Sequence, residues 1–298
     1  MINSRKFSRC IFVPLVSLMF VHLTSALAQA QYFTGPISSG LGSTGRAATE
    51  PEEGVFLNPA ILPHAKDFSS ALYYADGELA ENQSGTDLAV SFVDNTEGIF
   101  MPGSLSYVRR RRNYPGLPSV NEEYWHVGLG KFVTEYVSVG LGIHYRSVDQ
   151  EGGEDFTYWN ATLGALWAPK PEWGLALVGH NLTAKDIQNR AGYLEDLPRV
   201  GAGFVYLFDR ILKARVDVVK PLEENPEDKF QLGLGVETYP NEFSALRVGY
   251  ELDDLTKHQF VALGLAFLGP RLKIDYSFRK NTKSGSGGMH SVDFRVPF

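Results

Sequence analysis

Residues 289–298, Met-His-Ser-Val-Asp-Phe-Arg-Val-Pro-Phe, show the pattern that decides the fold of this sequence. Four apolar residues, Val292, Phe294, Val296 and Phe298, alternate there with serine, aspartate, arginine and proline. A two-residue period places apolar side chains on one face of a β-strand and polar side chains on the other. The pattern therefore predicts a strand whose two faces meet different surroundings.

The same alternation recurs from about residue 66 onward. The segments are close to the ~9–11 residues with which a tilted strand crosses a bilayer. After the first thirty residues the sequence has no run of eighteen apolar residues, so any membrane insertion must use strands. About fourteen strands are predicted, at 66–76, 85–94, 102–112, 122–132, 135–149, 155–168, 172–183, 197–208, 211–219, 228–238, 242–251, 256–267, 270–280 and 289–298.

The two faces of these predicted strands differ in character. In segment 136–148, Val137, Val139 and Leu141 alternate with serine and glycine, so one face suits lipid and the other suits water. We therefore predict an all-β fold, a transmembrane antiparallel β-barrel over residues 66–298. Its strand number is even, as in bacterial single-chain barrels.

The lengths of the predicted connections also favour a barrel. Short ones around Thr134, Lys170, Asp209, Asn241 and Gly269 alternate with longer ones around Asp76, Pro115, Gly152, Asn189, Asn225, Asp254 and Ser286. The stretch 94–101 is an exception, a long connection where a short one is due. Tight turns on the periplasmic side and long loops outside the cell are typical of outer-membrane barrels.

Aromatic residues near the predicted strand ends indicate two girdles at the membrane surfaces. They are Tyr73, Tyr74, Tyr124, Trp125, Tyr158, Trp159, Trp173, Tyr206, Phe208, Tyr239 and Phe243. A soluble β-sandwich is the alternative, because it also buries aromatic side chains. A sandwich would need an inward apolar face on both sheets and more uniform loops, which this sequence does not offer.

The first 28 residues predict a secretory signal peptide. Three cations precede an apolar stretch at 11–24, and Ala26-Leu27-Ala28 provides a cleavage site before Gln29. A second possible site is Ala28-Gln29-Ala30. A transmembrane anchor is the other interpretation, but the apolar stretch is shorter than the ~20 residues that a spanning helix needs.

Removal of this signal peptide changes the composition in two ways. The only cysteine of the sequence, Cys10, leaves with it, so the mature protein has no disulfide and no cysteine-bound metal. Loss of the cations Arg5, Lys6 and Arg9 takes the formal net charge from −6 to −9. A strongly acidic chain argues against nucleic acid as a partner.

Residues 29–65 are predicted to form a plug-like segment before the barrel. A Gly/Ser-rich run at 38–47 lacks both the preceding strand and the following lysine of a phosphate-binding loop. The sequence Asn58-Pro59-Ala60 predicts a turn that opens a short helix, with Asn58 as its cap. The candidate plug residues are Gly40, Gly42, Gly45, Arg46, Asn58, Pro59 and Ala60.

Charged residues occupy the face opposite the predicted lipid face. Charges at this density need partners or water, because burial without either is costly. The lumen-facing candidates are Arg199, Lys213, Arg215, Asp217, Arg247, Glu251, Asp275, Arg279, Asp293 and Arg295. The strands also carry Gly201, Gly203, Gly233, Gly235, Gly249 and Gly264, which leave room for a bend or for an inserted segment.

An outer-membrane hydrolase is the enzyme alternative. His126, His144 and His180 lie in predicted strands, and Ser91 or Ser138 could serve as a nucleophile. Nothing in their spacing defines a triad, because neighbours in a barrel depend on strand register. We therefore predict that the protein is not an enzyme and that it has no catalytic residues.

Two further charged stretches could bind a ligand or could simply be solvated loop residues. The run Arg109 to Arg112 could bind lipopolysaccharide phosphates, or it could be the solvated base of a loop. The loop 151–155 is acidic but lacks the ligand spacing of a calcium-binding loop. We predict no metal and no cofactor.

Several short motifs carry a resemblance to a known family. They are Asn58-Pro59-Ala60, Gly179-His180-Asn181-Leu182, Leu197-Pro198-Arg199-Val200-Gly201, Leu246-Arg247-Val248-Gly249-Tyr250 and Ile274-Asp275-Tyr276-Ser277-Phe278. With them the sequence resembles the PorV/PorQ-type outer-membrane barrels, which belong with the FadL-like long-chain fatty acid transporters. The last strand, with Phe294, Val296 and Phe298, resembles the closing strand that the barrel-assembly machinery recognises.

The resemblance implies two functions. FadL-like members take up hydrophobic molecules through a plug and an opening in the wall, which implies passive transport of hydrophobic small molecules across the bacterial outer membrane. PorV-like members are non-enzymatic partners of a protein-secretion system, which is the alternative. The expected partners are outer-membrane lipid, lipopolysaccharide, the assembly machinery, and a hydrophobic ligand or an envelope or secretion protein.

Overall fold

The structure is a computed structural model that describes residues 33–48, 50–80, 83–113, 118–152, 155–183, 198–209, 211–222, 229–254, 256–283 and 287–298. The predicted signal peptide, residues 1–28, lies outside the described residues, as do the first four residues of the predicted plug. No helix in the described part of the chain is long and apolar enough to cross a membrane.

Short helical elements precede fourteen strands in the described residues. The helices are α1 (Pro36–Gly40), α2 (Pro51–Gly54) and a 3₁₀ helix (Pro59–His64). The strands are β1 (Asp67–Ala80), β2 (Gln83–Asn95), β3 (Gly103–Asn113), β4 (Val120–Phe132), β5 (Val137–Gln150), β6 (Phe156–Lys170), β7 (Trp173–His180), β8 (Arg199–Phe208), β9 (Leu212–Pro221), β10 (Gln231–Asn241), β11 (Ser244–Asp253), β12 (His258–Leu268), β13 (Lys273–Asn281) and β14 (Met289–Pro297).

Every strand pairs antiparallel with its neighbours in the chain, and β1 pairs with β14 to close the sheet. Leu72 lies opposite Phe294 at this seam, and the N–H of Phe298 donates to the carbonyl oxygen of Phe68 at 2.9 Å. A closed sheet has no unpaired edge, which is the condition for strands in lipid. The predicted fourteen-stranded antiparallel barrel is confirmed.

The two-residue alternation sorts side chains between the two sides of the wall. In β5, Ser138, Gly140 and Gly142 are buried on the inside, whereas Leu141 and Ile143 are exposed on the outside. Large apolar side chains dominate the outside of the other strands too: Leu177, Val248 and Leu263 are each 59% exposed. The outer face of the barrel is therefore apolar and the inner face is polar.

The connections lie at two ends of the barrel. The turn end carries the amino end of β1, Phe298 and the connections 96–102, 133–136, 171–172, 209–211, 242–243 and 269–272. The loop end carries the connections 81–82, 114–119, 151–155, 181–198, 222–230, 254–257 and 282–288. The predicted exception near residues 94–101 is present as the connection 96–102.

Two predicted long connections are wrong. Asp76 lies within β1 opposite Thr86, whose hydroxyl donates to the Asp76 carboxylate at 3.0 Å. Its neighbour Gly77 has φ +149° and permits close approach to the backbone of Gly288 where β1 pairs with β14. The connection at Asp254 is also short, because β11 ends at Asp253 and β12 begins at His258.

The outer face generates a test of membrane contact. Leu263 lies in the middle of β12 and points outward, so Leu263→Arg should lower the free energy of unfolding in lipid vesicles by about 2–4 kcal/mol. Gln259→Arg, on the same face near the loop end, should cost only about 0–1 kcal/mol. Denaturant titration of both variants measures the difference. Equal, small losses would show that this face does not meet lipid.

Candidate functional site in the barrel interior

The described residues before β1 lie inside the barrel. We call residues 33–48 and 50–65 the inner segment. Helix α1 packs against β11, β12, β13 and β14, and the 3₁₀ helix packs against β4, β5 and β6 on another part of the wall. Leu41, Asn58 and Ala60 in this segment have no exposed surface. The inner segment therefore spans the interior from one side of the wall to the other.

Glycines in the wall make room for the first half of the inner segment. A Cβ atom at Gly235 of β10 would lie 2.6 Å from the carbonyl oxygen of Leu41, and one at Gly249 of β11 would collide with the backbone of Gly42. Gly42 itself has φ +67°, and a Cβ atom at this position would collide with the carbonyl oxygen of Tyr250. These glycines therefore allow the backbone of the inner segment to approach the wall closely.

A second group of glycines faces the other half of the segment. A Cβ at Gly140 of β5 would collide with the backbone of Pro59 and Ala60, and one at Gly164 of β6 would collide with the Asn58 side chain. Asn58 caps the 3₁₀ helix as expected, since its Oδ1 accepts from the N–H of Ala60 at 3.0 Å. Close backbone approach on both sides fixes the position of the segment.

Arg46 and Asp217 form the most extensively bonded contact between the segment and the wall. Asp217 Oδ2 accepts from Arg46 Nη1 at 3.0 Å, from Arg46 N at 3.0 Å and from Gly45 N at 2.9 Å. Both side chains are buried, with 3% and 2% of their surface exposed. Asn58 Nδ2 donates to the carbonyl oxygen of Arg46 at 2.7 Å and ties the two halves of the segment together.

Acidic residues of the inner segment make further polar contacts. Glu50 Oε1 lies 2.7 Å from Lys213 Nζ and 3.1 Å from Arg215 Nη2. Burial opposes the charged form of Glu50, but the positive charges of Arg215 and Lys213 prevail and hold the pKa of this carboxyl well below its ordinary value. Glu50 is therefore an ionised link between the segment and β9.

Glu53 binds within the segment instead. Its two carboxylate oxygens accept from the N–H groups of Ile37 at 2.8 Å and Ser38 at 2.9 Å. Burial raises the pKa of the Glu53 carboxyl, although these two N–H groups act in the opposite direction. Nearby, the Ser43 hydroxyl donates to Glu251 of β11 at 2.5 Å.

Most of the charged residues predicted to face the lumen are buried, and several of them pair with one another along the wall. Glu237 of β10 binds Arg247 Nε at 2.5 Å, and Arg247 Nη1 binds Asp275 of β13 at 2.5 Å. Asp275 also binds Arg295, and Arg295 Nε lies 3.6 Å from Asp293 Oδ2. Near the turn end these residues therefore form one ion-pair chain across β10 to β14.

Glu251, Arg279 and Arg199 lie closer to the loop end. Arg279 Nη2 binds Glu251 at 2.7 Å, and Arg199 is completely buried at the start of β8. Arg215 of β9 joins the turn-end chain through Glu237, at 3.4 Å. The structure thus brings most of the candidates into contact, although the sequence did not show which of them pair.

A second ion-pair group, at the loop end of β2 to β5, was not predicted. Arg112 binds Asp87, and Arg146 binds Glu122. Arg110 Nη1 also lies 3.9 Å from Glu122 Oε2. Arg110 and Arg112 are buried on the inner face, so the interpretation of the run Arg109 to Arg112 as a loop base or a lipopolysaccharide site is wrong for these two. Strand alternation would have revealed their direction.

Aromatic side chains form an apolar cluster around the inner segment. The Phe33 ring lies 4.6 Å from the rings of both Phe56 and Tyr73, and Phe56 lies 6.4 Å from Tyr124. Tyr73 and Tyr124 face inward and are buried, so their assignment to membrane girdles is wrong. They alternate with the outward side chains of Leu72 and Trp125, which places them on the inner face.

The candidate hydroxyl and imidazole groups of a hydrolase have structural partners. Ser138 Oγ donates to the carbonyl oxygen of Ala60 at 2.6 Å, and Ser91 Oγ lies 2.8 Å from Ser106 Oγ. The rings of His126 and His144 stack at 6.4 Å. His180 is buried at the end of β7, distant in register from both serines.

The residues of the predicted assembly signal lie at the barrel seam. Phe294 faces outward on β14, opposite Leu72 of β1. Val296 is partly exposed on the same face, and Phe298 is 72% exposed with its ring 5.5 Å from that of Phe68. Their role in recognition stays a prediction.

Comparison with protein-family models and with curated protein sequences finds no match. Solved structures do match. The Ralstonia pickettii toluene transporter TbuX is 13% identical with a TM-score of 0.66, over 91% of this chain and 99% of that chain. The CymD monoaromatic hydrocarbon channel is 13% identical with a TM-score of 0.67, over 89% and 97%. A Pseudomonas aeruginosa FadL homologue is 14% identical with a TM-score of 0.62, over 90% and 99%. The chain therefore has the fold of these barrels.

The Arg46–Asp217 contact generates a test of the inner segment. Asp217→Ala leaves the Arg46 guanidinium buried without its carboxylate, a change that typically costs about 3–5 kcal/mol. We expect trypsin to cut after Arg46 in this variant but not in the folded wild-type protein. Asp76→Ala, the same substitution on the outer face, is the control and should not expose Arg46. Resistance of Asp217→Ala to trypsin would show that this contact does not hold the segment.

Proposed function

We propose that this chain is an outer-membrane barrel that provides a passive route for hydrophobic small molecules, with residues 29–65 as its plug. The observation that carries the proposal is the inner segment, which fills the interior of a barrel whose outer face is apolar. The structural likeness to a toluene transporter and a monoaromatic hydrocarbon channel supports it. The predicted signal peptide and closing strand are consistent with export and assembly into that membrane.

The way the inner segment is bound supports a movable plug. The wall strands pair only with one another, so displacement of the segment breaks no strand pairing. The described contacts that hold it are side-chain bonds such as Arg46–Asp217 and Lys213–Glu50, close packing on glycines, and the packing of Phe33 and Phe56 on wall tyrosines. The barrel could therefore remain closed while its interior opens.

A reversible covalent lock tests this movement. A Cβ at Gly40 would lie 3.3 Å from Ser277 Cβ, close to the ~3.5–4.5 Å that a disulfide spans, so Gly40→Cys with Ser277→Cys should join the segment to β13. We expect the oxidised double variant to take up the fluorescent hydrophobic probe N-phenyl-1-naphthylamine no faster than cells without the barrel. A reductant should restore uptake by breaking this disulfide. No native cysteine competes for the lock, because the only one in the sequence, Cys10, lies in the predicted signal peptide.

The two single-cysteine variants are the controls for this lock and should respond to neither oxidant nor reductant. Deletion of residues 40–63 is the opposite perturbation and should raise the permeability of the outer membrane to the same probe. Identical uptake by the oxidised and reduced double variant, together with unchanged uptake after the deletion, would contradict the plug.

A scaffold of PorV/PorQ type is the second candidate. The observation that favours it is the apolar surface at the turn end, where Phe100 is 84%, Val133 64% and Ile211 58% exposed. A filled interior with paired charges also suits a barrel that serves as a rigid base. Affinity purification in mild detergent separates the two functions. A stoichiometric envelope protein, lost after Phe100→Ser and Val133→Ser, favours the scaffold; bound small molecules alone favour transport.

A further inference from the structure

A cavity of about 420 Å³ lies at the turn end, between the inner segment and the rim of the wall. The inner segment contributes Ala47 and His64, and the wall contributes residues of the β4–β5 turn, the β6–β7 hairpin, β8 and β9. Its volume falls in the range of small-molecule sites, roughly 300–1,000 Å³.

The walls of the cavity are largely apolar and aromatic. Phe132 contributes its ring, and Val205 and Leu207 contribute aliphatic surface. Tyr136 lies at the rim, and Trp173 borders the cavity while its ring packs against that of Trp167 on the outer face. The Phe132 ring meets the His64 ring edge-on at 4.8 Å, which holds the imidazole in place at the cavity. Flat aromatic surfaces favour a ligand with an aromatic ring of its own.

The hydrogen bonds of His64 define which ring nitrogen is available. Ser138 Oγ uses its single proton to donate to the carbonyl oxygen of Ala60 at 2.6 Å, so it can only accept from His64 Nε2, which lies 3.2 Å away. Nε2 therefore carries the proton. In a neutral imidazole this leaves Nδ1 as an acceptor, and it makes no hydrogen bond to the described residues.

The charges near the cavity disfavour an ionic ligand. Lys213 lines it, but its ammonium is already paired with Glu50 at 2.7 Å and with Glu237 at 3.4 Å. Glu135, Lys170 and Glu172 belong to exposed turns at the rim, where water screens them. Burial lowers the pKa of His64, which keeps its ring neutral at neutral pH. The free acceptor thus calls for a neutral donor.

We propose that this cavity binds a small neutral aromatic alcohol, with Phe132, Val205 and Leu207 around its aromatic part and its hydroxyl donating to His64 Nδ1. The site lies at the turn end of the barrel. The claim that such an alcohol is a transported substrate rests on the function proposed above. Binding of the alcohol to the cavity does not, and it can be measured on the purified barrel alone.

Binding of 1-naphthol and naphthalene, two probes that differ only in the hydroxyl, tests the site. Equilibrium dialysis against the purified full barrel in detergent, corrected with protein-free micelles, gives both dissociation constants. We expect the wild-type protein to bind 1-naphthol about five-fold more tightly than naphthalene, the contribution of one hydrogen bond. His64→Phe keeps a flat ring but removes the acceptor, and should make the two constants equal.

Two further variants separate the acceptor from the shape of the site. Ser138→Ala removes the bond to His64 Nε2 but leaves an imidazole nitrogen able to accept, so the preference for 1-naphthol should persist. Val205→Phe fills the cavity and should weaken both probes. An unchanged preference in His64→Phe, or unchanged binding of both probes in Val205→Phe, would overturn the proposal. A failed uptake experiment with intact binding would instead count against the transport route.

Discussion

Closure of the sheet between β1 and β14 is the constraint on which the rest of this structure depends. Once the seam is paired, every strand has two neighbours, and side chains can lie only inside or outside a cylinder. The two-residue period then puts one set of residues outside, where large apolar side chains such as Leu177 and Leu263 remain exposed. The polar set is confined to a narrow interior, and it must be neutralised there.

Register decides how that neutralisation is achieved. Glu237 of β10 lies directly opposite Arg247 of β11, so their pairing follows from the strand alignment. Arg247 also reaches Asp275 of β13 across Gly264 of β12, where a Cβ would come within 3.0 Å of the arginine. Buried ion pairs contribute little net stability, because desolvation offsets their attraction, but an unmatched partner is costly. The main effect of the ion-pair chain is therefore to select one register of β10 to β14. Its contribution to the free energy of unfolding is small.

Sequence alone predicted what depends on local period and missed what depends on distant neighbours. The fourteen strands, the capping role of Asn58 and the inward direction of residues such as Asp217 follow from spacing along the chain. The partner of each charge depends on register between strands, which no local pattern contains. Tyr73 and Tyr124 lie near strand ends, as girdle residues do, but their alternation with outward side chains places them on the inner face. Nothing in the sequence marks Phe33 and Phe56 as their neighbours.

The interior combines two kinds of attachment that respond to different perturbations. The wall is held by continuous strand pairing, which opens only if the barrel unfolds. The inner segment is held by side-chain bonds such as Arg46–Asp217, by close packing on wall glycines, and by contacts of Phe33 and Phe56 with wall tyrosines. A group that competes for one of those carboxylates or guanidinium groups acts on the segment and leaves the wall intact. Because the two attachments are separate, the pairing of the wall does not depend on the bonds that hold the inner segment.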